Sequence, residues 1–71
     1  MGKIDNPKNI IESLKNAIHM EENSVVNYTR YAKEAENTDA GDIAGIFHSY
    51  AIAAEKHAEV LKNVLREQEL R

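Results

Sequence analysis

The fold is decided by residues 7–36, which read PKNIIESLKNAIHMEENSVVNYTRYAKEAE. After the opening proline this stretch has no proline or glycine, and its apolar residues recur in alternating steps of three and four. That spacing is typical of one face of a long helix in a bundle. The stripe consists of Ile11, Leu14, Ile18, Glu21, Val25, Tyr28, Ala32 and Ala35. Its one charged member, Glu21, lies in the middle.

A second helix is predicted beyond the turn-forming residues 37–41. Its stripe consists of Phe47, Tyr50, Ala54, His57, Leu61 and Val64, with His57 as the strongly polar member. Gly45 lies in the interior of this helix, where a glycine is tolerable if a neighbouring helix approaches closely. The short connection predicts an all-α, antiparallel two-helix hairpin forming a single domain over residues 1–71, with helices at about 7–36 and about 42–69.

The ends of these helices carry recognisable signals. Asn6 followed by Pro7 is a good helix start, because asparagine can cap free N–H groups and proline fits the first helical position. Residues 1–6 then form a short arm. We expect either Thr38 or Asp42 to cap the second helix, and the sequence does not choose between them.

The two stripes are related by symmetry about Asp39. Glu21 and His57 each lie eighteen residues from it, and Tyr28 and Tyr50 each lie eleven residues from it. An antiparallel hairpin that turns near Asp39 therefore places Glu21 level with His57. We predict that these two side chains face each other at mid-helix.

Composition excludes several classes of function. The 71 residues include no cysteine, so disulfides, thiolate zinc sites and thiol catalysis are absent, and a cytoplasmic location is expected. The net charge of −3 comes without a basic patch, which argues against nucleic acid as a partner. The apolar runs are too short for a membrane span, and the first residues lack a secretory signal.

A chain this short buries a limited core, and its apolar stripes are too wide for one hairpin. The widening residues are Ile10, Ala17, Ser24 and Tyr31 on the first helix, and Ile46, Ala53 and Val60 on the second. We therefore expect a homodimer or a higher homo-oligomer whose core is a four-helix bundle. A dimer would bring two glutamates and two histidines together.

Burying a carboxylate and an imidazole inside a bundle removes them from water, and this free-energy cost must be offset by new interactions. One form is a Glu21–His57 ion pair. Another is a divalent metal, because carboxylate and neutral imidazole suit iron, manganese or zinc. The third is water held by Tyr28 and Tyr50, which flank this level.

Several of these residues also carry a family resemblance. They are Glu21, Tyr28, Tyr31, Ala32 and Ala35 on the first helix, and Ile43, Ala44, Phe47, Ala51, His57 and Ala58 on the second. In order and spacing the chain resembles the helical hairpin of the rubrerythrin and ferritin-like di-iron carboxylate superfamily, over nearly its whole length. The resemblance implies a ferritin-like four-helix bundle and iron as the metal, while the ligand types leave manganese and zinc open as alternatives.

The resemblance also implies metal ligands at Glu21, at position 54 and at His57. Position 54 is Ala54, and the neighbouring Glu55 points about 100° away on a helix. The metal ligands assigned here are therefore Glu21 and His57, and no catalytic residue is assigned. Ferroxidase or oxidoreductase activity is implied for the family, but the incomplete ligand set leaves open whether this chain is an enzyme.

Other polar residues receive ordinary structural interpretations. We expect Glu22 to pair with Lys56 across the hairpin, and His19 and His48 to be solvated surface residues.

The alternative to metal binding is a metal-free ferritin-like bundle that acts as a structural or interaction module, with the Glu21–His57 pair fixing registry. A cargo protein of a shell compartment ranks last, because such a protein is expected to carry a targeting tail beyond Arg71.

Overall fold

The computed structural model describes residues 7–71, with side chains from Asn9 onward. This part of the chain contains two helices, α1 (Pro7–Asn37) and α2 (Gly41–Glu69), and no strand. The predicted all-α hairpin is confirmed. The arm and the expected Asn6 cap lie outside the described residues. Neither helix contains an apolar stretch that is long enough to cross a membrane.

The helices are joined by a tight turn that closes α1. The Ala40 N–H donates to the Ala35 carbonyl at 2.8 Å, and the Asp39 N–H donates to the Glu36 carbonyl at 3.3 Å. Asp39 has φ of 64°, the left-handed conformation that ends many helices. Aspartate tolerates this conformation better than most residues other than glycine.

The predicted side-chain cap of α2 is wrong. The N-cap is Ala40, and no side chain makes a capping hydrogen bond there. Thr38 is unavailable because its hydroxyl turns back and donates to the Glu34 carbonyl at 3.0 Å. Asp42 lies inside the first turn, where its carboxylate interacts favourably with the helix dipole.

The α1 stripe faces α2 as predicted, and all eight of its residues are buried or half-buried. The α2 stripe is only partly right. The residues of α2 that pack against α1 are the buried Ala44, Ala51, Ala54 and Ala58 and the half-buried Phe47, Leu61 and Leu65. Tyr50, His57 and Val64 are instead largely exposed. Small alanines let the helices approach closely, which leaves the larger side chains at the edge of the contact.

One edge of the contact forms a charged flank, lined by Glu22, Glu55, Lys56, Glu59, Lys62 and Arg66. Glu22 pairs here with Lys62 at 2.9 Å, so the predicted partner Lys56 is wrong. The hydrogen bond and positive charge of Lys62 hold the pKa of Glu22 below its ordinary value of 4.5. Both side chains are about half exposed, so the pair contributes little to stability.

The opposite edge is apolar, and we call it the open face. On α2 its residues recur in steps of three and four: Ile43, Ile46, Tyr50, Ala53, His57, Val60 and Val64. On α1 it includes Ile10, Ala17, Ser24 and Tyr31, and Glu21 and Tyr28 lie at its border. Among residues 9–71, eleven large hydrophobic side chains are exposed, and seven of them lie on this face. The hairpin alone therefore leaves one apolar face without a packing partner.

Candidate metal site

The candidate site is a groove of about 330 Å³ in the middle of the open face. Helix α1 contributes Glu21, Ser24 and Tyr28, and α2 contributes Tyr50, Ala53, Ala54 and His57. Glu21 and Tyr28 are seven residues apart, which is nearly two helical turns, so both side chains point to the same side of α1. Tyr50 and His57 share this spacing on α2. The antiparallel hairpin therefore builds the groove from two matching layers.

Glu21 and His57 form the lower layer. The His57 Nδ1 atom lies 3.6 Å from the Glu21 Oε1 atom, which confirms that the two residues are level. This distance is within ion-pair range but is too long for a good hydrogen bond. The side chain of His57 is 63 % exposed and that of Glu21 is 30 % exposed. In the single hairpin both side chains therefore still reach water, and their burial in the core of a dimer stays a prediction.

An aromatic cluster forms the upper layer. The rings of Tyr28 and Tyr50 meet edge to face, with their centroids 5.4 Å apart. Phe47 stacks on Tyr28 at 6.2 Å and contacts Tyr31 at 5.5 Å. Such ring pairs add to the stability that area burial provides. Tyr28 and Tyr50 of this cluster line the groove beside the Glu21–His57 pair.

The other polar candidates lie outside this groove. Glu22 and Glu55 line the charged flank, so neither supplies a third ligand beside His57. The groove on that flank is larger, about 670 Å³, but positive and negative side chains share its walls. His19 is exposed, as expected. His48 is also exposed, but its Nε2 atom lies 3.2 Å from Glu36 Oε2, a contact that sequence reasoning missed.

These residues do not fit the di-iron centre that the resemblance implies. No three acidic or histidine side chains of residues 7–71 are grouped closely enough to hold a metal ion. The position expected for the third ligand is Ala54, which is 4 % exposed and has no donor atom. One hairpin therefore provides one carboxylate and one imidazole, which is half of a four-ligand site.

Comparison with known proteins supports one family. The sequence model described as Rubrerythrin matches residues 12–71, which include both helices almost completely. Searches of curated proteins and of solved structures found no match to this chain. The match covers more than half of the chain and contains both Glu21 and His57.

Proposed function

This chain belongs to the rubrerythrin family, and we propose that it binds iron or another divalent metal ion at Glu21 and His57 in the core of a homodimer. One observation carries the proposal: the two side chains meet at mid-helix with donor atoms 3.6 Å apart. Carboxylate and imidazole together suit iron, manganese and zinc. Family membership favours iron. The proposal also places the protein in the cytoplasm, since it has no cysteine.

The shape of the hairpin supports the dimer. Its radius of gyration is 16.2 Å, whereas a compact chain of this length has about 11 Å. Its accessible surface is 5402 Å², which exceeds the value expected for a folded 8.0-kDa monomer by roughly 950 Å². A standard protein–protein interface buries about 800 Å² on each partner. Covering the open face would thus bring the surface area near the normal value.

The dimer also completes the site. Two ligands from one hairpin leave most coordination positions of a metal to water. A second copy packed on the open face would exclude much of that water and bring a second Glu21 and a second His57. Because an ion pair or a metal is worth more when water is excluded, the two parts of the proposal support each other.

A metal-free role is the second candidate, and the buried Ala54 favours it. In that case the protein is a ferritin-like module that acts through its interactions. Glu21 and His57 would form reciprocal ion pairs across the dimer, which would fix how the two copies pack.

Metal analysis of purified protein tests the proposal. We expect calorimetric titration and elemental analysis to show Fe(II), Mn(II) or Zn(II) binding that Glu21→Ala and His57→Ala each reduce at least tenfold. The matched controls are Glu55→Ala and His19→Ala, which remove the same chemical groups outside the groove. Equal binding by all four variants, or none by the native chain, would refute metal binding at this site and favour the metal-free module.

A further inference from the structure

The ligands of a symmetric dimer follow from those of one chain. Each open face carries one carboxylate, Glu21, and one imidazole, His57. The nearest other acids, Glu22 and Glu55, lie on the charged flank and stay outside an interface built on the open face. A symmetric dimer whose two-fold axis passes through this groove would therefore bring two carboxylates and two imidazoles together. The bridging carboxylates that hold two metals close together are missing.

The charge of this set matches one divalent ion. Two ionised carboxylates carry two negative charges, and two neutral imidazoles carry none, so a 2+ ion makes the site neutral. A trivalent ion would leave one positive charge without compensation in an apolar interface, where an unpaired charge is unfavourable. A second divalent ion would leave two such charges. The set thus favours one ion that remains divalent.

The distance within each half-site matches four-coordinate geometry. With metal–nitrogen and metal–oxygen bonds of about 2.1 Å, neighbouring ligands of a tetrahedral ion are about 3.4 Å apart. Neighbouring ligands of an octahedral ion with bonds of this length are only about 3.0 Å apart. The observed separation of His57 Nδ1 and Glu21 Oε1 is 3.6 Å, closer to the tetrahedral value. Of the two geometries, the tetrahedral one needs the smaller adjustment of this half-site.

We infer that the dimer holds a single four-coordinate divalent ion, shared by the two copies, in place of a di-metal centre. This inference rests on the proposed function and specifies its stoichiometry and geometry. Because each chain supplies half of the ligands, metal uptake and dimerisation are one linked event. By linkage, the metal strengthens the dimer by the same factor by which dimerisation strengthens metal binding.

Titration with Co(II), followed by visible absorption and sedimentation, tests the inference. We expect saturation at one Co(II) per two chains, with the strong visible absorption of four-coordinate Co(II). The dissociation constant of the dimer should fall at least tenfold when Co(II) is present. Saturation at one ion per chain, the weak spectrum of six-coordinate Co(II), or a dimer that is indifferent to the metal would each overturn the inference.

Variants separate this inference from the proposed function. His57→Gln should abolish Co(II) uptake, whereas Glu55→Gln should leave the stoichiometry unchanged. If His57→Gln abolishes uptake but the native chain binds one ion per chain, the proposed function stands and the shared ion is refuted. If the native chain binds no metal, the proposed function itself fails.

Ala54→Glu restores the absent carboxylate, so a helical, dimeric variant should bind two ions per dimer. An unchanged single ion in that variant would contradict the argument from ligand number.

Discussion

Replacing Ile46 with alanine tests directly whether the open face is the dimer interface. Ile46 lies on the same face of α2 as His57, eleven residues away, and is 55 % exposed in the hairpin. Complete burial of an isoleucine side chain is worth about 1.5–3 kcal/mol, so burying the exposed half contributes roughly 0.8–1.6 kcal/mol. A symmetric dimer contains two copies of the residue. We therefore expect Ile46→Ala to weaken the dimer by about 2–3 kcal/mol, which is about 30- to 160-fold in Kd.

The chain supplies a matched control for this experiment. Ile52 is the same residue type on the same helix and is 54 % exposed, but it lies about 120° around the helix from Ile46. Ile52→Ala should therefore leave the Kd of the dimer unchanged. The assay is sedimentation equilibrium over a concentration series, with helix content followed by circular dichroism. Equal effects of the two substitutions, or a stable monomer for the native chain, would refute the interface.

Two further predictions concern the hairpin itself. Gly45→Ala should stabilise α2 by about 1 kcal/mol, a rise in Tm of about 4–8 °C, because the added Cβ meets no atom within 4 Å and alanine is the better helix former. Gly41→Ala, at the first residue of α2, should gain less, and thermal unfolding of both variants checks this. Because Lys62 lowers the pKa of Glu22, the pair stabilises the fold above about pH 4.5, and that contribution is lost as the pH falls through the lowered pKa. Carboxyl titration by NMR should show the pKa of Glu22 returning towards 4.5 in Lys62→Met, and an unchanged pKa would refute the pairing.

The gain expected from Gly45→Ala also corrects an interpretation of the sequence. Gly45 was interpreted as tolerable where a neighbouring helix approaches closely, but within the described hairpin a Cβ added there meets no atom within 4 Å. Its only clear effect there is to lower the helix propensity of α2. A glycine in a helix therefore does not by itself indicate close packing.

The α1 half of the core was predictable because its large apolar residues recur without interruption. The level of Glu21 with His57 was predictable from equal distances to the turn, and their separation of 3.6 Å confirms it. The α2 contact was harder to predict. Its buried residues are mostly alanines, whose small side chains carry less apolar area than Tyr50 and Val64 and so give a weaker signal in the sequence. Periodicity predicted the helix correctly. The predicted packing face, however, was displaced around the helix axis towards the larger side chains.

The same error in the packing face of α2 explains why the predicted partner of Glu22 is wrong. Once Leu61 and Leu65 face α1, Lys62 lies at the edge of the contact and reaches Glu22. The absence of a side-chain cap on α2 has a different cause. The Thr38 hydroxyl donates back to the Glu34 carbonyl of α1, and Ala40, which has no polar side chain, occupies the N-cap. Ala54 was recognised from sequence as a missing ligand, and the structure adds that both neighbouring acids point away from the groove.

The alanines between the helices have a consequence for how the hairpin is aligned. Ala44, Ala51 and Ala58 form a row of identical residues at seven-residue spacing on the face of α2 that packs against α1. Sliding α2 along α1 by seven residues would place two alanines of this row where two others stood, while moving His57 about 10 Å away from Glu21. The alanine row by itself therefore discriminates weakly against that misalignment. The three-residue turn at Thr38–Ala40 opposes it, because so short a connection would have to be stretched almost straight to span the shift. A longer, flexible connection would allow the helices to slip, so the length of this turn keeps the two ligands together.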